Sequence, residues 1–186
     1  MAIRICQQNM FESKAGAIIL TVDGARAGIE GNITRQFGRL YPDAWEDLER
    51  DILYPIPLGG AKIYPINRDV GCHFSHCIVA STLHHLELMT LQDKLSVVRG
   101  ALNSSVRLAA NRGVRSICTT ILSGGWRLTI EHALDEMLTT YFHASQSPTV
   151  HLLVHIRDAK EFQRIKAHLE QTRNSIVCND GSIELK

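Results

Sequence analysis

The chain has 186 residues, 45% of them hydrophobic and 21% charged, with a formal net charge of +1. Such a chain buries a full core and fits one medium domain over 1–186. The near-neutral balance excludes a broad electrostatic grip on nucleic acid or a membrane, so neither is an expected partner, yet it leaves room for local basic patches.

In chain order, residues 3–6 and 17–22 read as strands. The second, Ala17-Ile18-Ile19-Leu20-Thr21-Val22, is almost continuously apolar, as a strand covered on both faces should be. Residues 32–40 read as a helix, Tyr41-Pro42-Asp43 interrupts it, and Asp43 is placed to cap a second helix over 44–52. Pro and Gly make 54–60 a loop, and strands at 61–66 and 77–81 flank a turn at 67–71. A long helix over 91–112 repeats Leu95, Val98, Leu102, Val106 and Ala109 on one face, and Gly113 stands where a C-cap glycine belongs. A strand at 116–122, a helix at 129–143 and a strand at 150–156 follow, and Asp158 caps a last helix to about residue 174. The tail from 175 either adds a short strand at 175–178 or frays. Strands alternating with helices through short links predict the α/β class and a three-layer α/β/α sandwich.

The five cysteines, Cys6, Cys72, Cys77, Cys118 and Cys178, are odd in number, and three of them lie in apolar strand-like runs. That suits buried thiols in a reducing compartment better than a disulfide framework. The amino-terminal run is too short for a signal peptide and no apolar stretch reaches a membrane span, so the expected setting is the cytoplasm.

Two small-residue turns carry the functional signal. Gly28-Ile29-Glu30-Gly31-Asn32-Ile33 and Leu122-Ser123-Gly124-Gly125-Trp126-Arg127 each follow an apolar run and lead into a helix. Such loops expose backbone N–H groups at the positive end of a helix, where a phosphate docks, and two of them can hold a diphosphate from both sides. The alternative for the first is a plain strand-to-helix connection. Trp126 offers a flat face for a sugar or base, or belongs to the core, and Arg127 offers charge to phosphate. Asp23 and Glu30 flank the first loop; either is a candidate general base on water, against a turn-capping role for Asp23 and a dipole-favoured first-turn position for Glu30. Cys72-His73 and His76-Cys77 lack zinc-site spacing and read as core and edge residues, so no metal is expected. Mid-strand Cys118 is a poor nucleophile, and no cofactor is called for.

With these segments in order, the chain resembles a macro domain, an ADP-ribose-binding α/β/α fold with a mixed central sheet, most strongly over residues 3–164. The strand at 17–22 followed by Gly28-Ile29-Glu30-Gly31-Asn32-Ile33 is similar to the family's buried strand and first phosphate loop. Leu58-Gly59-Gly60-Ala61-Lys62-Ile63-Tyr64-Pro65 is similar to its "TGEAVITP" segment, and Arg115-Ser116-Ile117 through Ser123-Gly124-Gly125 to its second phosphate loop. The resemblance implies that Gly28, Ile29, Gly31 and Asn32 contact the diphosphate. It implies that Ser123, Gly124, Gly125, Trp126 and Arg127 wrap the diphosphate and distal ribose. Asn9 aligns with the family's adenine-binding Asp, and Asp23 replaces the last Asn of its "NAAN" motif. Asp23 and Glu30 together put negative charge beside an anionic ligand, which Arg26, Arg35 or Arg127 must balance.

Three functions follow as expectations. The first is binding of ADP-ribose or a related nucleotide diphosphate, free or on an ADP-ribosylated protein. The second is an ADP-ribosyl hydrolase with Glu30 or Asp23 as the catalytic base. The third is a macro-like scaffold that has lost its ligand and works through protein contacts.

Overall fold

The apolar runs assemble into one sheet whose strands are mostly parallel. The computed structural model describes residues 3–25, 31–67, 71–83, 89–123, 128–144, 149–173, 176–179 and 181–185. Among these, the strands are β1 (Ile3–Cys6), β2 (Ala17–Asp23), β3 (Ala61–Pro65), β4 (His76–Leu83), β5 (Ser116–Thr119), β6 (His151–His155), β7 (Ile176–Asn179) and β8 (Ser182–Leu185). The α-helices are α1 (Asn32–Leu40), α2 (Pro42–Asp51), α3 (Leu91–Asn111), α4 (Ile130–His143) and α5 (Ala159–Thr172). The sheet order is β3-β4-β2-β5-β6-β1-β8-β7. β4, β2, β5, β6 and β1 run parallel, while β3, β8 and β7 pair antiparallel at the two edges.

Alternation along the strands supplies two cores, one on each face. In β2, Ala17 and Ile19 face a core built with Val98, Leu102 and Val106 of α3, Leu134 and Leu138 of α4, and Phe162 and Ile165 of α5. Ile18, Leu20 and Val22 face the other core, with Phe37 of α1, Ala44 and Leu48 of α2, and Met10 and Phe11 of a short 3-10 turn. The near-continuous hydrophobicity of β2 is thus the mark of a strand covered twice. The architecture is the mixed-sheet α/β/α sandwich expected from the sequence.

Caps fix three helices. Thr90 and Asp93 form a capping box on α3, with Thr90 N–H donating to Asp93 Oδ2 at 2.9 Å. Thr129 accepts from His132 N–H on α4, and Asp158 accepts from Glu161 N–H on α5 at 2.8 Å.

Several boundaries differ from the sequence reading. The second helix starts at Pro42, whose fixed φ suits the first helical position, so Asp43 lies in the first turn and does not cap it. The fifth strand stops at Thr119 instead of continuing to 122. The tail forms a hairpin, β7 and β8, with β8 docked on β1 through Ile183 and Leu185.

Candidate functional site

The strand that ends early opens a cleft. β2 pairs with β5 at two positions, Ala17 with Ile117 and Ile18 with Cys118, while it pairs with β4 along its whole length. Beyond Cys118 the two strands part. The chain leaves β2 for β4 on one side and later returns through α3 to β5 on the other. A crevice at the carboxyl ends of strands is expected at such a reversal. A cavity of about 340 Å³ lies there, lined by residues 21–23, 31–33, Arg35, 82–83 and 120–123.

One wall is the end of β2 and the start of α1. Thr21 C=O accepts from Gly31 N–H at 3.1 Å and from Thr34 Oγ1 at 2.7 Å, which clamps the helix start to the strand. The close approach needs glycine: a Cβ at Gly31 would stand 2.7 Å from Thr21 Oγ1 and 3.0 Å from Thr21 O. Gly31 is also the N-cap of α1, makes no side-chain cap bond, and is followed by a first turn without an acid. The positive end of the helix dipole therefore faces the cavity with no side-chain anion of that turn to offset it.

Charge at the rim is mixed. Asp23 is buried, 1% exposed, and its Oδ1 accepts from Ala25 N–H at 2.8 Å. Arg35, one turn into α1, lines the same cavity and donates to Asn32 Oδ1 at 2.6 Å. Of the three arginines that the sequence offers against Asp23 and Glu30, Arg35 is the described one; Arg26 and Arg127 lie outside the described residues.

The floor is a row of hydroxyls that sequence reasoning did not single out as a group. Thr82 of β4, Thr21 of β2 and Thr120 beyond β5 lie on neighbouring strand ends, with Ser123 next to them. A register shift between β2 and β4 at Val22/Asp23 re-aims the end of β4 and buries Thr82. The available signal was a threonine near the end of each of three apolar runs. Tight packing holds the site's outer edge. Gly24 N–H donates to Leu83 O at 3.1 Å and Ile56 N–H donates to Gly24 O at 2.8 Å. A Cβ at Gly24 would overlap Ser81 Oγ and Ile56 O.

The structure thus brings together Asp23, Gly31, Asn32 and Ser123 of the expected site residues. Asn9 stands elsewhere: it caps the 3-10 turn Met10–Glu12, its Oδ1 accepting from Phe11 N–H at 3.3 Å. Gly28, Ile29, Glu30, Gly124, Gly125, Trp126 and Arg127 lie outside the described residues.

Cys72, Cys77 and Cys118 are buried, and among the described residues no group of three His, Cys, Asp or Glu is placed to hold a metal ion. Burial pushes the Cys118 thiol up to about 12 and raises Cys77 well above the ordinary thiol range, so both stay protonated. His155, at the carboxyl end of β6, is 3% exposed with neither ring nitrogen hydrogen-bonded, and burial lowers its pKa to about 4. No helix among the described residues is long and apolar enough to cross a membrane.

No family model and no curated protein matches the chain. Solved structures do. A variant of an Oceanobacillus iheyensis macrodomain superposes with a TM-score of 0.75 at 12% identity, covering 92% of this chain and 97% of its own. The same macrodomain solved with ADP gives 0.68 at 14% identity over 92% and 96% of the two chains. The macrodomain of Mycobacterium tuberculosis DarG gives 0.62 at 18% identity over 81% and 96%. The fold is that of macrodomains.

Proposed function

We propose that residues 1–186 form a single divergent macrodomain whose cleft between β2 and β5 binds ADP-ribose or a related nucleotide diphosphate, free or attached to a protein. The observation that carries this reading is the start of α1, with no side-chain cap and no first-turn acid, opening into the 340 Å³ cavity at the strand ends. Backbone N–H groups there suit a phosphate, Arg35 supplies a cation, and the threonine row suits sugar hydroxyls. Gly28, Ile29, Gly124, Gly125, Trp126 and Arg127 complete the walls in this reading. Two related bacterial macrodomain structures, solved with ADP and with ADPR, have the same fold and support the ligand class. Buried thiols at Cys72, Cys77 and Cys118 support a reducing, cytoplasmic setting.

Calorimetry with ADP-ribose, ADP and NAD tests the reading. ADP-ribose should give a saturable heat that Arg35→Gln weakens several-fold, about 1 kcal/mol for one partly solvated charge-assisted contact. No heat with any of the three nucleotides would sink it.

Asp23 favours a second reading. A buried carboxylate on the cavity wall is placed to take a proton from an attacking water, which would make the protein an ADP-ribosyl hydrolase, with Glu30 as the other candidate base. Release of ADP-ribose from a modified protein is then compared in wild type, Asp23→Asn and Glu30→Gln. Equal rates in all three would reject both roles.

A further inference from the structure

The amino end of the parallel strands holds a second hollow, of about 420 Å³, lined by Ala110, residues 113–115, Thr149 and His151. It lies where α3 hands over to β5 and where the chain enters β6. His151 N–H donates to Arg115 O at 2.8 Å, so the two residues sit side by side at the mouth, both with exposed side chains. Gly113 shapes the wall: its φ of +68° turns the chain out of α3 in a conformation that glycine adopts freely, and nothing lies within 4 Å of a Cβ placed there.

The residues beside this hollow are basic or neutral. The last residues before β2, β4, β5 and β6 (13–16, 71–76, 111–116 and 149–151) include Lys14, His73, His76, Arg112, Arg115 and His151, and the acids of the same connections, Glu12 and Asp69, come earlier in the sequence. No acid lines the hollow itself. Asp43, in the first turn of α2, belongs to the helix pair on the sheet face opposite α3. Two of the basic groups have a structural account. Arg112 is the C-cap residue of α3, where a cation balances the negative end of the helix, and His73 is held by Ser13 O at 2.9 Å. Arg115, His151 and Lys14 stand outside any helix, and none of the three forms a salt bridge with another described residue. A concavity with a guanidinium and no acid in its lining favours ions of the opposite sign.

We propose that this hollow is a second ligand site, separate from the cleft, that binds phosphate groups through Arg115 and His151, with Arg112 and Lys14 adding to the field. A planar guanidinium beside an imidazole matches the donor set that phosphate oxygens need. The phosphate comes either from a free phosphate ester or from the backbone of a nucleic acid strand, and the chemistry is common to both.

The test is an NMR titration of the full chain with inorganic pyrophosphate and, separately, with a short single-stranded oligonucleotide. The amides of Gly113, Arg115 and His151 should shift saturably with at least one probe, and which probe binds identifies the source. Arg115→Gln should weaken that binding by about fivefold or more, as expected for loss of a charge-assisted contact. Arg107→Gln, the same charge change on the exposed outer side of α3, should leave it unchanged. The proposal is overturned if neither probe moves these amides at millimolar concentration, or if Arg107→Gln weakens binding as much as Arg115→Gln. Amides at Gly31 and Asn32 report the cleft in the same spectra, so failure at one site is read independently of the other.

Discussion

At the carboxyl end of the sheet, Asp23 ends β2 and Asp158 follows β6; at the amino end, the last residues before the parallel strands (13–16, 71–76, 111–116 and 149–150) carry no acid, and the acids of those connections, Glu12 and Asp69, come earlier in the sequence. Helix dipoles account for much of this contrast. Helices that start at the carboxyl end present positive ends there, and Asp93 on α3, Glu131 on α4 and Asp158 on α5 answer them. α1 is the exception, with glycine at its N-cap and no acid in its first turn. At the amino end the exception runs the other way, because Arg115 is a cation with no helix end to serve. In both places the departure from simple dipole balance coincides with a cavity, and that coincidence marks the two candidate sites.

The largest test of the difference is steric. The carboxyl end is closed by backbone contact at Gly24, whereas the amino-end turn at Gly113 is open. Gly24→Ala should cost about 3 kcal/mol or more, because the new methyl meets the Ile56 carbonyl and the backbone must move. Gly113→Ala should cost only about 1 kcal/mol, the penalty for a side chain at positive φ. Urea denaturation of the two variants decides it; equal costs would mean that the carboxyl end is not the tighter one.

Acid should weaken the carboxyl end next. His155 has a folded pKa of about 4 against an ordinary 6.5, so the native state holds it neutral while the unfolded chain takes up a proton. Its contribution to stability is complete above pH 6.5 and is lost as pH falls towards 4, up to about 3 kcal/mol. Denaturant midpoints at pH 7.5 and 4.5 should therefore differ, and His155→Phe should shrink the difference. An unchanged pH dependence in that variant would remove His155 from the account.

Much of this division was legible in the sequence, and the reason lies in periodicity. β2 and α3 announced themselves because burial on both faces, or along one helical stripe, leaves a long apolar pattern; Val98, Leu102, Val106 and Ala109 are all fully buried as that pattern requires. β8 gave no such pattern, since Ser182-Ile183-Glu184-Leu185 is a short alternation whose meaning depends on pairing with β1. The early stop of β5 was likewise hidden, because Ile121 and Leu122 stay apolar after leaving the sheet: Leu122 is buried with its N–H on Met137 Sδ at 3.2 Å. Hydrophobicity reports burial, and burial continued where strand pairing did not. Gly31 could be read as a helix start, but its contact with Thr21 belongs to the folded chain alone.

A smaller effect is expected at the charge that divides the two ends. Asp23→Asn keeps an oxygen for Ala25 N–H and removes one negative charge from the cleft. If an anionic diphosphate binds there, affinity should rise by about threefold or more, since a like charge is removed from the cleft wall. Calorimetry with ADP-ribose measures it. A loss of affinity would show that Asp23 makes a favourable ligand contact, and the electrostatic contrast between the ends would then need a different basis.

The smallest effect probes the field at the amino end directly. Burial lowers the pKa of His76, the first residue of β4, and the Arg112 guanidinium lowers it further. Arg112→Gln should raise the His76 pKa without restoring the ordinary value, because the burial, which is the larger cause, remains. Salt should do the same in wild type and much less in the variant, since an exposed guanidinium is screened over about 8–10 Å at physiological ionic strength. Imidazole proton shifts followed across pH give both values. A His76 pKa indifferent to Arg112 and to salt would mean that the cations at this end act only on their immediate neighbours. The hollow would then have no shared positive field, and Arg115 with His151 would have to bind phosphate by contact alone.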